Sequence, residues 1–71
     1  MNQHELIKLA NFKMPFGKYK DKYLVYIPEE YIIWLINNHS LNNNLKSKLL
    51  LMKEIKDNGL EYLILPLISK V

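Results

Sequence analysis

One ten-residue stretch, MPFGKYKDKY at residues 14–23, prevents the chain from folding as one uninterrupted run of helices. Pro15 has a fixed φ and no backbone N–H, and it pushes Met14 towards an extended conformation, so no helix continues through this point. Gly17 adds a position where a positive φ costs little. The sequence before and after the stretch is typical of helices, so the remaining elements have to be arranged around it.

Charged and aromatic side chains alternate in the second half of this stretch. Three lysines are interleaved with two tyrosines: Lys18, Tyr19, Lys20, Lys22 and Tyr23. A period of two is typical of a half-buried strand. Asp21 interrupts the alternation with a residue that tolerates the left-handed conformation, so we place a chain reversal there. The sequence therefore predicts a short antiparallel β-hairpin from Phe16 to Leu24, with aromatic rings towards the core and ammonium groups in water.

One helix is predicted before the hairpin and another after it. The first covers about residues 3–11 and has Asn2 as its N-cap. The second begins after Pro28, because a proline followed by two carboxylates is a strong start signal. Its apolar run from Tyr31 to Ile36 leaves no polar face, so we expect this helix to be surrounded on most sides. Its two large aromatic residues are therefore expected in the core rather than against a ligand: Tyr31 and Trp34.

The second half of the chain predicts one longer helix and one short helix. Apolar residues at helical spacing define a third helix from about Leu45 to Asn58, capped by Asn42 or Asn44, and Gly59 ends it. A short apolar helix covers residues 60–65, and residues 69–71 are expected to fray. We therefore expect a small α+β domain that consists of a helix, a hairpin, two longer helices and a short C-terminal helix.

Length and composition allow one small domain over residues 1–71. A chain of this length buries only about 60% of its unfolded surface, so its stability is expected to be small. Nevertheless 49% of its residues are apolar, which leaves a surplus for a partner surface. The absence of cysteine excludes disulfides and cysteine-based zinc sites. The net charge of +3 permits an anionic partner without requiring one.

No group of residues forms a recognisable catalytic arrangement. His4 and His39 are far apart in sequence, and neither has a second ligand at metal-binding spacing. Glu29 and Glu30 are adjacent, so on a helix they point in different directions and cannot act as an acid–base pair. We therefore expect a protein that is not an enzyme and uses no metal or cofactor. The start of the chain lacks a secretory signal, and no apolar run approaches the ~20 residues that span a bilayer, so we expect a cytoplasmic protein.

Lysines interleaved with aromatic residues are typical of a nucleic-acid surface, because ammonium groups contact phosphates while rings stack on bases. The candidate contacts are Lys13, Phe16, Lys18, Tyr19, Lys20, Lys22 and Tyr23. The chain has no arginine, so it lacks the planar group that reads guanine edges, and binding should depend strongly on salt. A solvated hairpin edge would present the same lysines without any ligand.

A different class of function is a protein-interaction or homodimerisation module. The surplus of apolar residues lies mainly in residues 60–68 and in the second helix. A body of this size is not expected to hide all of them, so a partner protein or a second copy of the chain would cover the remainder.

Three segments carry a resemblance to a known family. They are MPFGKYK at residues 14–20, IPEEYIIWL at 27–35 and EIKDNGLEYL at 54–63. In this order they resemble short bacterial proteins described as putative quorum-sensing-regulated virulence factors, and the match covers nearly the whole chain. Asp21 departs from the pattern, since the family generally has glycine there. The first two segments are also similar to a small module appended to some bacterial exonucleases and helicases, which implies an association with nucleic acid.

Overall fold

The computed structural model describes residues 3–68, and its regular elements are all helical. The α-helices are α1 (Gln3–Asn11), α2 (Glu29–Asn38), α3 (Asn43–Asp57) and α4 (Glu61–Ile64), and two 3₁₀ turns cover Leu24–Tyr26 and Leu65–Leu67. Within residues 3–68 the β-structure is limited to one isolated antiparallel bridge between Lys13 and Tyr23. The expected α+β fold is therefore wrong. The predicted cap Asn2 and the predicted frayed segment 69–71 lie outside the described residues.

Residues 14–22 form a closed loop, which we call the lysine loop, instead of a hairpin. The backbone N–H of Met14 donates to the carbonyl of Lys22 at 2.9 Å, and the N–H of Asp21 donates to the carbonyl of Met14 at 2.8 Å. These two bonds close the neck of the loop. Pro15 has no N–H to extend the pairing beyond Met14.

Inside the lysine loop, two successive turns replace the strand pairing. The N–H of Lys20 donates to Gly17 at 3.1 Å and that of Lys22 to Tyr19 at 3.0 Å, so these groups bond three residues back along the chain. Gly17 has φ +81° and Asp21 has φ +68°, and neither value fits an extended strand. The left-handed backbone predicted at Asp21 is therefore confirmed, whereas the hairpin predicted from Phe16 to Leu24 is wrong.

Replacing Asp21 by glycine is expected to stabilise the protein slightly. An L residue in the left-handed region is strained by about 1–2 kcal/mol, and glycine removes that strain. Glycine also increases the entropy of the unfolded chain, which opposes part of the gain. We expect Asp21→Gly to raise the free energy of unfolding by about 0.5 kcal/mol in urea titrations, and Asp21→Ala to lower it. A glycine variant less stable than the original chain would contradict this account of residue 21.

The core is formed by side chains from all four α-helices, from the lysine loop and from residues 24–27. The buried residues are Leu9, Ala10, Met14, Leu24, Val25, Ile27, Ile32, Leu35, Leu45, Leu49, Met52 and Ile64. Met14 anchors the lysine loop in this core, because its side chain is fully buried. The apolar face predicted for the third helix is confirmed at Leu45, Leu49 and Met52.

The prediction that the second helix is surrounded is wrong. Within α2, Ile32 and Leu35 are buried, while Ile33 and Trp34 are exposed. α2 packs on α3 along one side. A chain of 71 residues has too few elements to cover a helix on all sides, so part of an apolar helix stays in contact with solvent.

Both ends of α3 are set by local signals that the sequence shows. Asn42 is the N-cap, since its side-chain oxygen accepts a hydrogen bond from the N–H of Leu45 at 2.8 Å. At the other end, Gly59 has φ +65°, its N–H donates to Lys56 at 3.1 Å, and the N–H of Leu60 donates to Ile55 at 2.9 Å. This pair of bonds is a Schellman motif, so the predicted helix stop at Gly59 is confirmed.

Candidate nucleic-acid interface

Five aromatic side chains lie side by side where the lysine loop meets α2. They are Tyr19, Tyr31, Trp34, His39 and Phe16, and we call this set the aromatic arc. The lysine loop contributes the first and the last of these rings. Tyr31 and Trp34 come from one face of α2, where residues three apart are neighbours, and His39 directly follows the helix.

The rings of the aromatic arc contact one another in sequence. The ring centroids are 4.7 Å apart for Tyr19 and Tyr31 and 5.7 Å apart for Tyr31 and Trp34. The Trp34 and His39 centroids are 5.0 Å apart, and those of His39 and Phe16 are 6.2 Å apart. All four distances fall within the range of favourable aromatic pairs. Each ring therefore restricts the orientation of its neighbours.

Three rings of the arc remain open to solvent. Trp34 is 48% exposed, Phe16 is 36% exposed and His39 is also exposed, whereas Tyr19 and Tyr31 are half-buried. The prediction that Trp34 lies in the core is therefore wrong, and the same prediction holds only in part for Tyr31. The arc presents aromatic faces to solvent on a support of half-buried tyrosines.

Gly17 allows the lysine loop to approach α2 closely. A Cβ atom at residue 17 would lie 3.0 Å from the Tyr31 hydroxyl oxygen, which is closer than ordinary van der Waals contact. The φ of +81° at Gly17 is a second reason for glycine at this position. Glycine at this position therefore allows the backbone of the loop to lie against Tyr31.

Positive charge lies beside the Tyr19 end of the arc. The Lys18 ammonium nitrogen is 5.6 Å from the centroid of the Tyr19 ring, a distance that permits a cation–π interaction. Lys20 and Lys22 are exposed on the same loop. The arrangement therefore combines exposed rings with ammonium groups, which is the chemistry expected of a surface for phosphates and bases.

The structure divides the predicted site residues into two groups. Phe16, Lys18 and Tyr19 lie at the aromatic arc, with the two other lysines on the same loop. Lys13 and Tyr23 form the bridge at the neck, where the Lys13 ammonium is 5.2 Å from the Tyr23 ring. The Tyr23 ring in turn lies 6.3 Å from that of Tyr26. The residues predicted as one surface are therefore only partly brought together.

Sequence reasoning missed three members of the arc: Tyr31, Trp34 and His39. A signal for two of them was present, because Tyr31 and Trp34 have the same three-residue spacing as the buried pair Ile32 and Leu35. α2 therefore has a buried face and, one residue earlier in the sequence at each position, an aromatic face. No comparable signal marks His39.

One acidic pair has perturbed ionisation. A hydrogen bond with Asp57 raises the pKa of Glu29, while the bonds that Asp57 makes with Glu29 and Lys53 lower the pKa of Asp57. The Lys53 ammonium lies 2.8 Å from the Asp57 carboxylate. Glu29 is the first residue of α2, and Lys53 and Asp57 lie in the last part of α3. Across residues 3–68 there is no cluster of three or more potential metal ligands.

None of the helices in the described part of the chain combines the length and the apolar character that crossing a membrane requires.

Comparison with known proteins identifies relatives of this chain. Residues 2–67 match the family described as "putative quorum-sensing-regulated virulence factor". Two curated relatives, from Escherichia coli K12 and Escherichia coli O157:H7, both carry the name "uncharacterized protein YpeB". Each is 38% identical over 68 residues, which is 94% of this chain and 94% of the relative. No solved structure matches the chain. The family resemblance expected from the three sequence segments is confirmed.

Proposed function

The chain belongs to the family described as putative quorum-sensing-regulated virulence factors. Within this family, we propose that it is a non-catalytic cytoplasmic module that binds nucleic acid. The family description concerns regulation and names no ligand, so the proposal is argued from the surface of the molecule. Its principal support is the position of the lysine loop beside exposed rings of the aromatic arc.

The two parts of this surface have different roles in the proposal. Lys18, Lys20 and Lys22 contact phosphates, which attract ammonium groups regardless of base sequence. The exposed rings of Trp34 and Phe16 contact bases. The chain has no arginine, so base-specific reading of guanine is not part of the proposal.

Charge reversal in the lysine loop tests this function. We expect labelled DNA or RNA to bind at low salt in fluorescence anisotropy, with log Kd rising by about 2–3 units per unit of log salt for three phosphate contacts. Lys18→Glu/Lys20→Glu should weaken binding at least about tenfold, since it removes two of those contacts and adds two repulsive charges. A matched control is Lys8→Glu/Lys46→Glu, which changes the net charge equally on the exposed surfaces of α1 and α3.

Two results would contradict the proposal. One is an absence of binding at low salt to every nucleic acid tested. The other is an equal loss of affinity in the loop variant and the control variant, which would attribute binding to net charge alone. Circular dichroism of both variants checks that the helices are retained.

Self-association is a second candidate function, favoured by exposed apolar side chains near the C-terminus. Tyr62 and Leu63 in α4 and Leu65 after it are all exposed. A second copy of the chain would cover these side chains. This candidate requires a concentration-dependent dimer in light scattering that Leu63→Ser/Leu65→Ser abolishes. A monomer throughout the micromolar range would exclude it.

A further inference from the structure

We propose that the ligand of the aromatic arc is single-stranded nucleic acid, with unpaired bases stacked on Trp34 and Phe16. This inference rests on the proposed function and specifies its ligand. It follows from the exposure of Trp34 and Phe16 near the lysine loop. It also follows from the fact that a duplex does not expose the faces of its bases.

The geometry of the arc provides more than one stacking position. His39, which is itself exposed, lies between the other two exposed rings, with centroid distances of 5.0 Å to Trp34 and 6.2 Å to Phe16. The two rings are therefore separate but close, and they occupy a continuous surface. Behind them, Tyr31 contacts Trp34 and Tyr19 contacts Tyr31, which supports the exposed indole. Neighbouring bases of one strand can stack on the rings of Trp34 and Phe16.

A duplex cannot use these rings in the same way. Its bases are paired and stacked on one another, so it presents phosphates along most of its surface, and only the lysine loop can contact them. A single strand presents both its phosphates and the faces of its bases. Lys18 lies beside the Tyr19 end of the arc, and Lys20 and Lys22 are exposed on the same loop, so a strand whose phosphates contact the loop continues onto the exposed rings. The single strand therefore gains stacking that the duplex does not.

Stacking of this kind does not select a sequence, because every base has a π-face. The chain has no arginine for bidentate contacts to guanine. We therefore expect single strands of different sequence to bind with similar affinity. We also expect DNA and RNA to bind with similar affinity, because phosphate contacts and base stacking do not involve the sugar.

Three probes separate stacking from charge. They are a short oligothymidylate, an abasic strand of the same length that keeps the phosphates, and a duplex of that length. Trp34→Ala should weaken binding to oligothymidylate about tenfold to hundredfold, as expected for the loss of one stacking position, and leave the abasic strand and the duplex unaffected. Trp34→Phe retains an aromatic face and should restore most of the affinity. Tyr62→Ala, which removes an exposed ring outside the arc, is the matched control.

Trp34 also provides a direct signal, because it is the only tryptophan of the chain. Stacking of a thymine on the indole should quench its fluorescence, whereas the abasic strand should bind without quenching. Equal affinity for all three probes, with no effect of Trp34→Ala, would overturn the single-strand inference and leave nucleic-acid binding by the lysine loop intact. Failure of all three probes to bind at low salt would overturn the proposed function itself.

Discussion

Leu49→Ala is expected to lower the free energy of unfolding by about 3 kcal/mol. The Leu49 side chain is fully buried in the middle of α3, within the core that α1, α2 and the lysine loop share. Truncation to alanine removes apolar contact area and leaves a cavity that the surrounding side chains fill only in part. Urea titration followed by circular dichroism measures the loss as a lower midpoint at an unchanged slope.

The neighbouring leucine provides the control for this substitution. Leu50 lies on the same helix but is 46% exposed. Leu50→Ala changes the same atoms and the same helix propensity, but it removes a contact that is already partly solvated. We expect a loss below about 1 kcal/mol for this variant. Equal losses at the two positions would contradict the orientation of α3 in the fold.

The size of the chain makes the Leu49 effect severe. A domain of 71 residues has a total stability of roughly 4–10 kcal/mol. A loss of about 3 kcal/mol is a large fraction of that total, and it lowers Tm by about 10–25 °C for a domain of this length. No disulfide offsets it, because the chain contains no cysteine.

Local signals in the sequence predicted the helices well. The first helix covers residues 3–11 as expected, and the third begins after an asparagine cap and ends at Asp57, two residues before Gly59. Both ends of the third helix depend on hydrogen bonds between residues that are close in sequence, so a short window contains the necessary information. The hairpin prediction was wrong because a short alternation of lysines and tyrosines also fits two successive turns. The positive φ angles of Gly17 and Asp21 distinguish the turns from a strand, and the neck of the loop is fixed by Met14, which is buried in a core that distant segments complete.

The candidate site could be predicted only in its local part. Phe16, Lys18 and Tyr19 are close in sequence, and the structure keeps them together at the aromatic arc. Trp34 joins them because the lysine loop folds against Tyr31 of α2 and against His39 after it, a contact between distant segments that no local pattern specifies. Its exposure depends on how many elements cover α2, which is a property of the whole fold.

Gly17→Ala is expected to cost about 2 kcal/mol or more and to change the environment of Trp34. Alanine at φ +81° is strained by about 1–2 kcal/mol. Its Cβ would also lie 3.0 Å from the Tyr31 hydroxyl, so Tyr31 has to shift. Tyr31 is stacked on Trp34 with ring centroids 5.7 Å apart, so its shift should alter the emission of the only tryptophan.

Gly59→Ala separates the two causes. Gly59 has φ +65°, close to that of Gly17, but nothing lies within 4 Å of an added Cβ there. This variant should therefore lose only the backbone contribution of about 1–2 kcal/mol and keep the tryptophan emission unchanged. A spectral change in Gly17→Ala alone would show that residue 17 couples the lysine loop to the aromatic arc. Identical losses and spectra in the two variants would mean that Gly17 serves only its turn, and Trp34 would then be positioned by α2 without help from the loop.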